Sequence, residues 1–300
     1  MSYKIFYESL RDHEYFISLD ESPKSKLLAV FDVPDNKNIY KNSFGKTLII
    51  GGSDGYLGAV IISGIAALRS GSRYVEICTT KEHHFLLPLY QPELLTSHDT
   101  KSLAEKFNIY KNFLIGPGLS SDNWSMQMFS KFKDLINHNL SHKNIIIDAG
   151  FLNILSNEPF RNDKWVLTPH IGEAACLLNT SKTTIKDNRL DSAKEIQKKY
   201  GGIVILKGHE TIIQTHNDSY ICKHGNSGMG TAGMGDCLAG TILSLISMVD
   251  EKNYNNAILF AVAIHSYAAD RIMINKGKIG LLANDVINEI NSLLNMKNKP

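Results

Sequence analysis

Short apolar runs that each end in a loop signal recur through the middle of this 300-residue chain. Residues 113–115, 145–147, 165–167 and 203–206 are such runs, and glycine, aspartate, Thr-Pro or Lys-Gly follows them. Helical patterns lie between most of the runs. Strands that alternate with helices form a mostly parallel sheet with helices on both faces, and ligands bind at the carboxyl ends of its strands. The sequence therefore predicts an α/β fold whose site lies in the loops after the strands.

An earlier segment has the same pattern. Residues 46–50 form a β-type run, a glycine-rich loop follows, residues 59–68 have an apolar helical pattern, and residues 74–79 form another β-type run. This order predicts a βαβ unit. With 43% hydrophobic residues, a chain of this length can bury the core of one sizeable domain.

The two ends of the chain differ from its middle. Residues 1–43 are polar and contain Pro23, Pro34 and a DNKN cluster. We interpret them as a leader that packs on the domain rather than as a second domain. We therefore expect one domain over residues 44–294 and a frayed tail over residues 295–300.

Charge and cysteine usage narrow the class of protein. The formal net charge is +2, and basic and acidic residues are interspersed, which argues against a nucleic-acid or membrane-surface partner. Cys78, Cys176, Cys222 and Cys237 form no CxxC pair and lie in apolar stretches, as expected for reduced cysteines. The N-terminus lacks the apolar core of a signal peptide, and polar residues interrupt the longest apolar segments. We expect a cytoplasmic protein with a small-molecule partner.

The most informative segment is NSGMGTAGMGDCLAG, at residues 226–240, which leads into an apolar helical stretch at residues 241–249. Glycines bring backbone N–H groups close to a ligand, and a helix N-terminus is partly positive, so the turn suits a phosphate. Asp236 lies where the loop becomes the helix, and it would serve as an N-cap, as a general base or as both. Cys237 is better explained as a buried helix position than as a nucleophile.

The GMGD sequence in this turn resembles the GxGD motif of ribokinase-like enzymes, which transfer a phosphoryl group to an alcohol. The chain has no GxxxxGK[ST] motif, so it is not a P-loop protein, and residues 51–58 do not match GxGxxG. Five further segments resemble motifs of the NAD(P)H-hydrate dehydratase family in the same order along the chain. They are GGSDGYLGA at 51–59, IGPGL at 115–119, IDAG at 147–150, LTPHIGE at 167–173 and LKGHET at 206–211.

The resemblance implies a fold and a set of site residues. The fold is a ribokinase-like three-layer α/β sandwich with a mostly parallel central sheet and helices on both faces. Asp236 is implied to be the catalytic base. The residues implied to bind the hydrated nicotinamide substrate are Ala59, Gly118, His170 and Asp236. Those implied to bind the nucleotide are Lys207, Gly208, His209, Glu210, Thr211 and Gly235, and those implied to form an anion hole are Gly233, Met234 and Gly235.

Several of these segments also allow a plain structural interpretation. The glycine-rich turn at residues 51–59 and the tight turn at Gly118 would serve packing alone. Lys207 would be an exposed lysine in a hairpin, and Asp148 would cap the end of a strand. Glu173 lies in the first turn of the following predicted helix, so we expect a capping-box or helix-dipole role rather than catalysis.

The resemblance implies the repair of a damaged cofactor. ADP, or ATP, would phosphorylate the hydroxyl of (6S)-NAD(P)H hydrate, and loss of phosphate would return NADH or NADPH and leave AMP when ADP is the donor. Mg²⁺ would screen the phosphates, although the sequence contains no dedicated metal site. The resemblance also implies a homo-oligomer, a tetramer in the family. A separate epimerase is expected, because the leader is too short to be one.

Three departures from the family's motifs leave other functions open. Met234 replaces the threonine of GTGD, Tyr40 replaces the histidine before Lys41, and Gly150 replaces the second acidic residue of DADxLN. A thioether at residue 234 cannot assist a phosphate as a hydroxyl would, so we expect reduced or altered activity. The alternatives are a small-molecule alcohol kinase of the same fold and a catalytically weakened nucleotide-binding homologue.

Overall fold

The computed structural model describes residues 2–22, 40–99, 102–138 and 143–295, and within them the chain forms one eleven-stranded sheet with helices packed against it. The strands are β1 (Ser2–Arg11), β2 (Glu14–Ser22), β3 (Thr47–Ile50), β4 (Val75–Cys78), β5 (Leu95–Ser97), β6 (Asn112–Ile115), β7 (Asn144–Ile147), β8 (Trp165–Leu167), β9 (Ile203–Leu206), β10 (Ile212–Gln214) and β11 (Ser219–Cys222). The helices are α1 (Leu57–Arg69), α2 (Lys81–His84), α3 (Leu87–Tyr90), α4 (Leu103–Ile109), α5 (Asn123–His138), α6 (Ala149–Asn157), α7 (Ile171–Leu178), α8 (Lys182–Asp187), α9 (Arg189–Tyr200), α10 (Met234–Ser247), α11 (Tyr254–Lys276) and α12 (Ala283–Leu294).

The strands follow the order β1-β2-β11-β10-β9-β8-β7-β6-β3-β4-β5 across the sheet. From β9 to β5 every neighbouring pair is parallel, whereas β10 runs antiparallel to both β9 and β11. The carboxyl ends of β3, β6, β7, β8 and β9 therefore meet at one edge of the sheet. The prediction of a mostly parallel sheet is confirmed.

Alternate side chains of each central strand enter different apolar cores, as the period of two in a strand requires. Ile49, Leu114 and Ile146 lie in the core shared with α1, α10, α11 and α12. Leu48 and Ile50 lie in the core on the other face, which α4, α5, α6, α7 and α9 cover. The central strands are therefore buried on both faces, and the predicted three-layer sandwich is confirmed.

The N-terminal residues extend the sheet. We expected them to form a leader packed on the domain, but β1 and β2 form an antiparallel hairpin, and β2 pairs in parallel with β11. Ile5 and Ile17 are fully buried in the core that contains α11. The domain bounds at residues 43 and 294 stay predictions. Pro23, Pro34, the DNKN cluster and residues 296–300 of the tail lie outside the described residues.

Residues 251–276, which include α11, have the length and apolar composition of a membrane span, which was not expected from the sequence. Of the most apolar 18-residue stretch of this segment, 72% is buried inside the fold. Helix α11 packs against α10, α12 and β2, as the core helix of a globular domain does.

Candidate active site

The glycine-rich turn ends where helix α10 begins. Gly233 is the N-cap with φ of 91°, a conformation that side chains rarely adopt, and a Cβ there would lie 2.5 Å from Ile62 Cδ1 of α1. The helix starts at Met234, two residues before the predicted transition at Asp236, so Asp236 lies inside the first turn. The N-cap interpretation of Asp236 is therefore wrong. In this first turn the N–H groups of Gly235 and Asp236 have no helical carbonyl four residues earlier to bind, which leaves them for a ligand.

The Asp236 carboxyl group titrates near neutral pH. Burial raises its pKa most, and the negative charges of Asp148 and Glu173 raise it further, while the positive charge of Lys207 lowers it. The result is a pKa of about 7. A base with such a pKa is protonated and deprotonated in comparable amounts at neutral pH, which suits general acid–base catalysis.

The Lys207 side chain lies between the glycine-rich turn and the residues that follow the central strands. Lys207 follows β9, its side chain is 17% exposed, and its Nζ atom lies 2.6 Å from Asp148 Oδ1 and 3.9 Å from Glu173 Oε2. Burial by itself lowers the pKa of Lys207, but the charges of Asp148 and Glu173 outweigh burial and raise that pKa. A Cβ on Gly235 would lie 3.2 Å from the same Nζ atom. Lys207 is therefore an ion-paired and mostly buried lysine, so the exposed-lysine interpretation is wrong, while its nucleotide-binding role stays a prediction.

His170 and Glu173 form a capping box at the start of α7. The backbone N–H of Glu173 donates to His170 Nδ1 at 3.0 Å, and the backbone N–H of His170 donates to Glu173 Oε2 at 2.7 Å. The capping role predicted for Glu173 is confirmed. Because Nδ1 accepts a hydrogen bond, the neutral ring carries its proton on Nε2. The imidazole is 59% exposed and therefore accessible to a ligand, and its Nε2 atom lies 3.5 Å from Glu173 Oε1.

The loops after β3 and β6 bind each other through their backbones. The N–H of Gly52 donates to the Pro117 carbonyl at 2.9 Å, and the N–H of Ser53 donates to the Gly118 carbonyl at 2.8 Å. A Cβ on Gly118 would lie 3.2 Å from Ala59 Cβ, so the two predicted substrate residues are neighbours. These contacts require the two loop backbones to approach each other closely at Gly118. The assignment of Ala59 and Gly118 to the substrate stays a prediction.

The loop after β7 explains one departure from the family's motifs. A Cβ on Gly150 would lie only 2.0 Å from the Leu119 carbonyl oxygen, so the backbone would have to move before residue 150 could carry a carboxylate. Asp148, which precedes α6, makes no capping hydrogen bond through its side chain. Its carboxylate binds Lys207 and the hydroxyl of Thr168 instead, so the strand-end capping interpretation is wrong.

The turn between β9 and β10 contains the remaining residues implied to bind nucleotide. Thr211 Oγ1 donates to the Gly208 carbonyl at 3.0 Å, whereas His209 and Glu210 are exposed. The Arg189 guanidinium, at the start of α9, donates to the carbonyl oxygens of His209 and Glu210 and so shapes the turn. Nothing in the sequence around Arg189 distinguishes it from other basic residues of an exposed helix, so its role was not predicted.

Of the motif departures, Met234 is buried away from solvent. Its side chain is 6% exposed and lies in the core shared by α1, α10, α11 and α12. Its N–H faces the Thr231 carbonyl at 3.4 Å. Tyr40 is exposed, and its backbone N–H donates to Ser43 Oγ at 2.9 Å. The anion-hole assignment of Gly233, Met234 and Gly235 stays a prediction, and it would use backbone groups only.

Three of the four cysteines are buried, as their apolar sequence surroundings predicted. Cys237 is fully buried on α10, which confirms the prediction of a buried helix residue, and burial raises the pKa of its thiol to about 12. Cys78 and Cys222 are buried as well, but Cys176 is exposed on α7, where the apolar-stretch interpretation was wrong. Among the described residues, no group of three or more His, Cys, Asp or Glu is arranged to hold a metal ion.

The family model for NAD(P)H-hydrate dehydratase matches residues 47–292, which include every residue of the site described above. The chain belongs to the NAD(P)H-hydrate dehydratase family. A bifunctional NAD(P)H-hydrate repair enzyme of Coxiella burnetii is 35% identical over 86% of this chain and 52% of its own length. An ADP-dependent (S)-NAD(P)H-hydrate dehydratase of Staphylococcus aureus is 29% identical over 80% of this chain and 86% of its own length.

A solved member of the NAD(P)H-hydrate dehydratase family has the same architecture. The ADP/ATP-dependent NAD(P)H-hydrate dehydratase of Bacillus subtilis, co-crystallised with ATP and Mg²⁺, matches 86% of this chain and 91% of its own with a TM-score of 0.74 and 26% identity. The ribokinase-like fold prediction is thereby confirmed. The present chain spans about half the length of the bifunctional relatives that it matches.

Proposed function

We propose that this chain is a lyase that dehydrates NAD(P)H hydrate in a reaction that consumes ADP or ATP. The observation that carries the proposal is the position of Asp236, a carboxyl group that titrates near neutral pH in the first turn of α10, beside Lys207 and within the cluster that reaches His170. The family assignment and the names of the S. aureus and B. subtilis relatives support the same activity.

The reaction proceeds in two stages, phosphorylation of the hydrate and loss of phosphate. Asp236 accepts the proton of the ring hydroxyl, and the freed oxygen attacks the terminal phosphorus of the nucleotide. The bond from that phosphorus to the bridging oxygen breaks, and AMP leaves when ADP is the donor. The ring nitrogen's electron pair then expels phosphate, and loss of a proton from the adjacent carbon restores the double bond of NAD(P)H. Hydrate and ADP are thus converted to NAD(P)H, AMP and phosphate.

The remaining residues bind and orient the reactants. We assign the Lys207 ammonium and the N–H groups of Gly235 and Asp236 to the transferred phosphoryl group, because backbone donors and a cation stabilise its charge. Gly208 and Thr211 are assigned to the nucleotide through the turn that they form. The Nε2–H of His170 is assigned to the hydrated ring, and Ala59 and Gly118 to the surface on which that ring lies.

Magnesium fits this site as an ion that arrives with the nucleotide. The carboxylates of Glu173 and Asp236 are the hard oxygen donors that Mg²⁺ prefers, but Glu173 is already engaged by the backbone of His170. Asp148 is likewise engaged by Lys207 and Thr168. When bound, the ion would neutralise charge on the phosphates. Because Asp236 is assigned as the base and the other two carboxylates are already engaged, we assign the phosphates as the main ligands of the ion.

The test mixes purified protein with NADH hydrate and ADP, with hydrate and ATP, and with hydrate alone, and follows the absorbance of the reduced nicotinamide ring. The proposal expects NADH to form only with a nucleotide, and release of AMP and phosphate in equal amounts when ADP is used. Nucleotide binding without turnover would instead indicate a weakened homologue. Stable phosphorylation of an alcohol such as hydroxyethylthiazole, with no NADH formed, would indicate the kinase alternative.

We also propose a cytoplasmic homo-oligomer that works with an epimerase. The bifunctional relatives are about twice as long as this chain, which leaves room in them for a second activity. By resemblance that activity is an epimerase that interconverts the two forms of the hydrate. Light scattering after size exclusion tests the oligomer, and the fraction of a mixed hydrate that this chain repairs alone tests the need for an epimerase.

A further inference from the structure

One ammonium group lies among three carboxylates at the centre of the site. Lys207 Nζ is 2.6 Å from Asp148 Oδ1 and 3.9 Å from Glu173 Oε2, and its charge also acts on Asp236. A buried lysine without a close carboxylate tends to lose its proton. The carboxylate closest to Lys207 therefore decides where its Nζ atom lies and contributes most to keeping it charged.

The order of the strands selects Asp148. Strands β7, β8 and β9 are neighbours and parallel, so the residues that follow them, Asp148, Thr168 and Lys207, lie side by side at one edge of the sheet. Thr168 Oγ1 lies 2.7 Å from Asp148 Oδ1 and 3.2 Å from the Ile147 carbonyl oxygen. The Asp148 carboxylate is held by two partners, Thr168 and Lys207. Because Asp148 is 1% exposed, water hardly competes with them for its oxygen atoms.

The position that Asp148 imposes on Lys207 faces the phosphate end of the site. The Nζ atom lies 3.2 Å from where a Cβ would lie on Gly235, in the first turn of α10. The other carboxylate within reach, Glu173, belongs to the capping box of His170 on the side assigned to the hydrated ring. A lysine side chain is long and flexible, so loss of Asp148 would allow Lys207 to turn toward Glu173.

We propose that Asp148 is a positioning residue, oriented by Thr168, that holds the Lys207 ammonium charged and beside Gly235, where the nucleotide phosphate binds. This inference rests on the proposed function for the identity of the ligand, but the pairing itself does not. Asp148 has a second effect, because its negative charge helps burial to raise the pKa of Asp236. Asp148 thus acts on the base and on the cation without being assigned to touch either reactant.

The first test needs no ligand. Competitive labelling of amino groups with acetic anhydride over a range of pH, followed by mass spectrometry, measures the protonation of Lys207 itself. In Asp148→Asn the side chain keeps its shape and loses its charge, so we expect the labelling midpoint of Lys207 to move to lower pH by about one unit. The groups that face Lys207 and remain are Glu173 from α7, Asp236 from α10 and His265 from α11, and the variant changes none of them.

A matched control removes a buried carboxylate that pairs with a different lysine. Glu76 on β4 binds Lys106 and Tyr110, away from the site, and its carboxylate is also buried. Glu76→Gln is expected to lower stability and to leave the Lys207 midpoint where it is. An unchanged Lys207 midpoint in Asp148→Asn, or an equal shift in both variants, would overturn the inference.

The second test separates positioning from general damage to the fold. In Asp148→Asn both limbs of the kcat/KM profile are expected to move to lower pH, the acid limb because Asp236 loses a negative neighbour and the alkaline limb because Lys207 loses its partner. The KM for ADP should rise by about tenfold. A merely structural role would lower the activity and leave both limbs in place. If the wild-type chain lacks dehydratase activity, the proposed function fails and the labelling experiment still decides the role of Asp148.

Discussion

Lys207 Nζ lies 3.2 Å from the position that a Cβ atom would take on Gly235, so a side chain at residue 235 would crowd the ammonium group. The two residues are 28 positions apart, since Lys207 follows β9 and Gly235 lies in the first turn of α10. A phosphate bound by the N–H groups of this turn would therefore lie against the ammonium group.

This contact predicts the effect of Gly235→Ala. Alanine is favourable in a helix, so we expect the fold to be retained, while the added methyl group displaces the Lys207 ammonium. The affinity for ADP should fall by about tenfold, which calorimetry measures directly. The control is Gly230→Ala in the same glycine-rich segment, where an added Cβ has no neighbour within 4 Å. Equal affinities in the two variants would mean that phosphate does not bind between Gly235 and Lys207.

The raised pKa of Asp236 predicts the pH dependence of catalysis. The base must be deprotonated to accept the hydroxyl proton, and its pKa is about 7. We expect kcat/KM to decline as pH falls below about 7, tenfold per pH unit well below the midpoint. Initial rates across the range, with the stability of the hydrate checked separately, give the profile. An acid limb near the ordinary aspartate range would exclude Asp236 as the group that the limb reports.

How much of this site the sequence predicts depends on how local each feature is. Strands β8 and β9 have the predicted bounds, because apolar runs and the loop residues after them are local signals. The capping box of His170 and Glu173 is equally local. The N-terminal hairpin was missed because its strands are rich in charged residues and only a two-residue turn separates them. Gly233 adopts a left-handed conformation as the N-cap of α10, so the helix starts two residues before the predicted transition at Asp236.

The pairing of Lys207 with Asp148 lies beyond such reasoning. The two residues are 59 positions apart, and they meet only because β7, β8 and β9 are neighbours in the sheet. Sequence motifs predicted that both residues lie at strand ends, but they did not predict which carboxylate forms the ion pair with Lys207. Arg189 is a similar case, since its role follows from the position of α9 next to the turn between β9 and β10.

Asp236→Asn tests catalysis and stability together. Loss of the base should lower kcat by roughly a hundredfold to ten-thousandfold, with ADP binding largely retained. Because the pKa of Asp236 is higher in the folded state, its protonation favours folding below about pH 4, and this contribution is lost as pH rises through about 7. The variant should therefore be more stable than wild type at pH 8, by on the order of 1 kcal/mol or more. Urea unfolding at pH 5 and pH 8 measures this, and a variant less stable than wild type at pH 8 would contradict the buried-charge account.

Met234→Thr restores the residue usual in the family's GxGD motif, but the structure predicts a loss. The Met234 side chain is buried in the core with α1 and α11, so threonine would leave a cavity and bury a hydroxyl group. We expect the free energy of unfolding to fall by about 1–3 kcal/mol, with no gain in kcat. Denaturant unfolding and steady-state rates check both parts. A gain in kcat at unchanged stability would show that residue 234 faces the phosphate after all.

Gly118→Ala tests the contact between the loops after β3 and β6. Gly118 has φ of 64°, and an added Cβ would lie 2.7 Å from the Tyr56 carbonyl oxygen and 3.2 Å from Ala59 Cβ. Both strain and crowding should lower the free energy of unfolding by about 1 kcal/mol or more and raise the KM for the hydrate, while the KM for ADP changes little. The stability control is Gly58→Ala in α1, where a Cβ meets open space and alanine should stabilise by about 0.5–1 kcal/mol. If the KM for ADP rises as much as the KM for the hydrate, the assignment of Gly118 to the hydrated ring is wrong, because the change would then act on the whole site.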